Sequence, residues 1–130
     1  MILYLDLFSG ISGDMTLGAL VDLGVPLEWL EQKLKPVLSG FSLRSEIVFK
    51  HHLRAVNLFV EVEDTATART YMDIRALIAQ SDLSEPVKKN SLAAFERIAR
   101  AESSIHGKEI ETVHFHEIGG IDSLVDIIGS

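Results

Sequence analysis

The chain has 130 residues, of which 47% are hydrophobic, enough for one domain with a real core. Twelve basic against nineteen acidic side chains leave a net charge of −7 with no long run of either sign, which argues against nucleic acid, because phosphate backbones are bound by clustered Lys and Arg. There is no cysteine, so disulfides and thiolate metal sites are excluded; this fits a reducing compartment, and no stretch approaches membrane-spanning length, so the expected location is the cytoplasm.

The start, Met1–Leu5, lacks a basic leader region and is interrupted by Asp6, so it reads as a strand rather than a signal peptide. Ile2 to Phe8 is apolar on both faces apart from Asp6, which predicts a strand buried in the middle of a sheet. A buried carboxylate must be paired, hydrogen-bonded or bound to a cation, so Asp6 needs a partner. Ser9-Gly10-Ile11-Ser12-Gly13-Asp14 then forms a small flexible loop opening a helix that runs to about Leu23 and stops at Gly24. Backbone amides of such a loop can hold a phosphate or carboxylate. No Gly-Lys-Ser/Thr follows, and Asp14 puts negative charge where an anion would sit. The plainer reading is a capped helix start with Ser12 as the cap.

A second helix is predicted over Pro26 to Leu38, with Leu27, Leu30, Leu34 and Leu38 on one face and Pro36 placed to end or kink it a turn early. The period then changes to two. Phe41, Leu43, Ile47 and Phe49 in one run, and Val56, Leu58, Val60 and Val62 in the next, predict an antiparallel hairpin turning around His51–Ala55. His51 and His52 read as solvated turn residues. Thr70-x-x-Asp73 has the form of a capping box for a short helix carrying Ile74, Leu77 and Ile78. Ser84-Glu85-Pro86 opens a longer helix striped with Val87, Leu92, Phe95, Ile98 and Ala99 and closed by His106-Gly107. Arg69 and Arg75 flank the short helix and are candidate anion holders.

The segment His114–Gly129 is the least generic part of the chain. Val113 and Phe115 alternate with His114 and His116, so a strand here places both imidazoles on one face. Glu117 follows, Gly119-Gly120 supplies a turn, and Asp122 and Asp126 stand four apart on one helix face. Two nitrogen donors and two carboxylates form a mixed set that suits Ni, Zn, Fe or Mn better than Ca or Mg. The plainer reading is a satisfied polar strand end and a helix whose Asp122 complements the dipole.

The predicted order is strand, two helices, two strands, two helices, strand, helix. This is an α+β class: two layers, a mixed four-stranded sheet with helices mainly on one face, for which a ferredoxin-like arrangement with doubled helices is the nearest simple topology. Parallel first and last strands would bring Asp6, the Ser-Gly loop and the two histidines to one edge. Residues 1–130 are expected to form a single N-terminal domain, a fragment of a longer protein, because the chain stops inside the apolar pattern Asp126-Ile127-Ile128-Gly129-Ser130.

Two stretches, Tyr4-Leu-Asp-Leu-Phe-Ser-Gly-Ile-Ser-Gly-Asp-Met15 and His114-Phe-His-Glu-Ile-Gly-Gly-Ile-Asp-Ser-Leu-Val-Asp-Ile-Ile-Gly129, resemble the N-terminal part of the LarC family of nickel-insertion proteins. The resemblance implies a cytoplasmic nickel chelatase or cyclometallase of the lyase class. Such a protein metalates pyridinium-3,5-bisthiocarboxylic acid mononucleotide in a CTP-dependent reaction, giving the nickel-pincer nucleotide cofactor of lactate racemase. It also implies Ni²⁺ and a nucleotide-like substrate, with CTP (and Mg or Mn) belonging to the later part of longer family members, so that this chain alone is incomplete. His114, His116, Glu117, Asp122 and Asp126 match one family stretch; Asp6, Ser9, Ser12 and Asp14 match the other.

Chemistry then suggests roles. His114 and His116, with Asp122 and Asp126, are the candidate nickel ligands. Glu117 and Asp6 are candidates for the base that takes the ring proton. The Ser9, Gly10, Ser12, Gly13 and Asp14 loop, with Arg69 or Arg75, is the candidate phosphate receiver. Homo-oligomerisation and contact with a C-terminal region are expected. Two alternatives stand beside this: a metal-dependent hydrolase of a phosphorylated substrate, and a non-catalytic assembly domain with structural histidines.

Overall fold

In a computed structural model the chain is described over residues 2–63, 69–115 and 119–130. Along them run helix α1 (Gly13–Asp22), helix α2 (Leu27–Leu34), strands β1 (Phe41–Lys50) and β2 (Leu53–Val62), helix α3 (Tyr71–Gln80), helix α4 (Glu85–His106), a 3-10 turn (Ile110–Thr112) and helix α5 (Ile121–Gly129). The α+β class holds, but the four-stranded sheet does not. Among the described residues the sheet has two strands, β1 and β2, paired antiparallel from Phe41↔Val62 to Lys50↔Leu53.

The two absent strands fail for different reasons. Among the described residues Ile2–Phe8 is exposed and pairs with no strand, and its one backbone hydrogen bond is Gly10 N–H to Leu7 C=O (2.9 Å). The sequence around His114 is extended, but it forms one isolated bridge, Thr70↔His114, flanked by Tyr71 N–H to Val113 C=O (3.0 Å) and Phe115 N–H to Arg69 C=O (3.2 Å). On the Val113 side the ladder stops because its partner turns into α3 at Tyr71; the pairs that would continue it on the other side fall on residues outside those described. A ferredoxin-like topology needs both strands, and among the described residues it is not formed.

The hairpin follows its alternation. Phe41, Leu43 and Leu58 are buried on the face covered by α1, α2 and α5, while Arg44 on the other face lies 4.2 Å from the Phe59 ring and bonds Glu61 at 2.7 Å. The turn is shorter than expected: two residues, His51 and His52, with φ of 49° and 66°. Positive φ at both central positions is what a type I′ turn requires, the form that matches strand twist.

α2 ends at Leu34, earlier than the predicted Leu38, because Pro36 cannot continue the amide ladder. Leu38 stays buried after the helix ends. The Glu31 carboxylate accepts the Leu43 amide at 2.9 Å, tying α2 to β1, and Lys35 beside it, followed by that amide, holds the carboxyl below its usual range. At the start of α3 the capping box forms as predicted: Asp73 N–H donates to Thr70 Oγ1 (3.1 Å) and Thr70 N–H to Asp73 Oδ2 (2.9 Å). α4 carries Pro86 in its first turn and ends at Gly107, whose φ of 61° supplies the left-handed cap.

α5 sits at the centre, touching α1, α2, α4 and β2 and burying Leu124, Val125 and Ile128. Its apolar pattern is thus absorbed by this chain's own core. Behind it, Phe115 packs against Phe95 (centroids 6.3 Å apart) and edge-on to Tyr71 (6.5 Å). No helix among the described residues is long and apolar enough to cross a membrane.

Candidate functional site: where the start of α1 meets α5

The N-terminal Ser-Gly loop and the acidic face of α5 meet through a glycine. A Cβ on Gly13 would lie 2.4 Å from the Cβ of Asp126 and 2.7 Å from its Cα and carbonyl oxygen. No other residue allows α1 to start this close to the α5 backbone. A turn later Gly18 lets α1 approach β2, since a Cβ there would meet the Val56 carbonyl at 2.5 Å.

This contact gathers acids. Ser12 occupies the cap position of α1, but its hydroxyl donates to the Asp14 carboxylate rather than capping the helix; Asp14 also accepts the Met15 amide at 2.8 Å. Asp126 is half-buried, and its Oδ1 is enclosed without a hydrogen-bond partner among the described residues. Burial raises its carboxyl above the usual range, and the charges of Asp14 and Asp122 add to this, partly offset by the nearby Asp14 amide. Asp122, exposed in the first turn of α5, stands one turn before Asp126. The charges of Asp14 and Asp122 thus both bear on Asp126.

The second cluster lies just before α5. His114 is exposed between buried Val113 and Phe115, so the expected alternation is present. Its charge helps hold the Asp73 carboxyl low, behind the larger effect of the Thr70 hydroxyl and amide. Arg69, predicted to face an anion, instead donates from Nη1 to the Gly119 carbonyl at 3.1 Å. Gly119 is itself required: a Cβ would meet the Phe115 carbonyl at 2.6 Å and the Arg69 nitrogen at 3.1 Å. Arg69 therefore ties down both Phe115 and Gly119, just ahead of α5.

Other predicted residues are not drawn in. Asp6 lies exposed in the unpaired N-terminal segment rather than buried, so it needs no partner; Ser9 and Gly10 are exposed too. Arg75 is exposed on α3 with no ion pair or hydrogen bond among the described residues. His116 and Glu117 lie outside the described residues. Among those described, no three His, Asp or Glu side chains stand close enough together to hold a metal ion. His106 pairs with Glu102 at 3.1 Å near the end of α4, in keeping with its expected place at that helix terminus. Sequence reasoning missed Gly13 as the contact point and Arg69 as a fastener; the signal for the first was a glycine flanked by Ser12 and Asp14 at a helix start.

Fold and site together define a cysteine-free α+β unit in which the acidic starts of α1 and α5 meet. The nickel insertion protein family matches residues 3–130, and the chain belongs to that family. It is 49% identical to a nickel insertion protein of Wolinella succinogenes and 46% to one of Geotalea uraniireducens, in each case over 99% of this chain and 34% of the relative. It is also 44% identical to the pyridinium-3,5-bisthiocarboxylic acid mononucleotide nickel insertion protein of Desulfitobacterium hafniense, over 98% of this chain and 32% of that one. The chain spans about a third of the length of these relatives. No solved structure matches it.

Proposed function

We propose that this chain is the N-terminal, nickel-receiving part of a protein that metalates pyridinium-3,5-bisthiocarboxylic acid mononucleotide, the compound named for the D. hafniense relative. Nickel is cargo here, taken up and passed on. His114 and His116 offer imidazole nitrogens and Asp122 and Asp126 offer oxygens. Among the described residues His114, Asp122 and Asp126 do not stand together on their own, so the ion itself draws the set together. Without thiolates such a set holds Ni²⁺ firmly but releases it to a stronger donor, and the two sulfurs of the substrate are stronger donors. Forming the Ni–C bond breaks a ring C–H bond and sends the proton to a carboxylate, with no net oxidation; Glu117 or Asp6 is suited to that role.

The nucleotide phosphate falls to the amides of Ser9–Gly13. Arg69 or Arg75 supplies the cation beside them; Arg69 gives one donor to Gly119 and keeps the others. CTP, with Mg or Mn, acts in the part of the longer relatives that this chain does not span. The observation that supports this reading is the seating of Gly13 on Asp126, which joins the two stretches on which the family resemblance in the sequence rests.

Calorimetric titration of the untagged chain with Ni²⁺, Zn²⁺ and Mn²⁺ tests it. Preferential nickel uptake should weaken roughly tenfold or more in His114→Ala/His116→Ala and in Asp122→Asn/Asp126→Asn. Equal nickel affinity in all three proteins would overturn the assignment.

A further inference from the structure

The segment Ile2–Phe8 is an extended run whose outward row has no cover. Exposure alternates along it: Ile2, Tyr4 and Phe8 are 83–96% exposed, while Leu3, Leu5 and Leu7 are 43–54% exposed. That is the period-two signature of a strand with one row leaning on the body and the other facing out. Six of its seven residues are large and apolar, and its amides and carbonyls from Ile2 to Asp6 form no backbone hydrogen bond among the described residues. Such an edge is a template for strand addition.

Pairing with a second copy does not answer the need. Two such segments side by side would satisfy amides along one edge, but would fuse two exposed apolar rows into one wider face. The cover must bring both a strand and an apolar layer. The relatives are about three times as long as this chain, so about two thirds of each lies beyond the region matched here.

We propose that Ile2–Phe8 is a strand of a sheet completed by that remaining region. The adding strand has an exposed edge and apolar side chains opposite Ile2, Tyr4 and Phe8. Because Phe8 runs through the turn at Leu7–Gly10 straight into α1, docking this strand also fixes the Ser9–Gly13 loop. The inference stands apart from the nickel assignment.

Amide hydrogen exchange, read on this chain and on the full-length W. succinogenes relative at the aligned residues, decides it. The amides of residues 2–8 should exchange freely in the 130-residue chain and roughly a hundredfold more slowly in the full-length protein. An Ile2→Asp/Tyr4→Asp pair should leave the melting temperature of this chain unchanged, and the same changes at the aligned residues should remove the protection in the full-length protein. Free exchange in both proteins would overturn the proposal. So would protection in the isolated chain, whether it rises with concentration alongside a dimer in sedimentation or persists in the monomer, and so would unfolding of this chain by the paired substitution.

Discussion

Two carboxylates answer pH in opposite senses. Lys35 and the Leu43 amide keep Glu31 ionised below its usual range. The folded chain therefore holds that proton less tightly than the unfolded one, and the stability gained is fully present only above the unfolded carboxyl's range, roughly pH 5, and lost as pH falls through the lowered value. Asp126 is the reverse: its carboxyl is raised, so folding favours the proton, and stability falls as pH climbs from the unfolded range through the folded one. Glu31→Gln should lower the melting temperature at neutral pH and converge with the parent in acid. Asp126→Asn should raise it at neutral pH, again converging in acid. Thermal melts across pH check both, and a destabilised Asp126→Asn protein at neutral pH would show that the carboxylate is satisfied after all. At Gly13 the expectation is steric. Gly13→Ala must move α1 off Asp126, costing about 1–3 kcal/mol in urea titrations.

At the scale of elements, the hairpin turn stores strain that sequence chemistry can relieve. His51 and His52 both sit at positive φ, where Asn and Gly are better accommodated. His51→Asn/His52→Gly should therefore stabilise the chain by about 1–2 kcal/mol, seen as a higher urea midpoint with an unchanged slope. Conversely, Thr70→Ala removes the α3 cap and should cost about 1 kcal/mol. These elements were legible in the sequence because their signals are local: the period-two runs of β1 and β2, the Thr70–Asp73 box, and the Pro86 and Gly107 bounds of α4. What escaped was non-local. An apolar run such as Ile2–Phe8 states that it wants burial, not what will bury it. The His114 stretch has the right alternation, yet where its pairing begins is set by where Tyr71 turns into α3, some forty residues earlier in the chain. The candidate site divides the same way. Asp122 and Asp126 at one helix spacing could be read directly, whereas the approach of Asp14 to them depends on a helix crossing that no single stretch encodes.

For the molecule as a whole, α5 is the element through which the two family stretches communicate. It is packed on α1, α2, α4 and β2, with Gly13 at one contact and the Arg69–Gly119 bond at its entry. Arg69→Ala should loosen that entry and weaken nickel uptake, while Arg69→Lys restores part of it if a single donor to the Gly119 carbonyl suffices; paired titrations of the two variants check this. The central proposal, imidazole and carboxylate sharing one cation, is tested most directly by nickel K-edge X-ray absorption on the nickel-loaded chain. The account predicts a shell of nitrogen and oxygen with imidazole scattering that vanishes in His114→Ala/His116→Ala. An all-oxygen shell, or imidazole scattering that survives that double substitution and so arises from His51, His52 or His106, would contradict it.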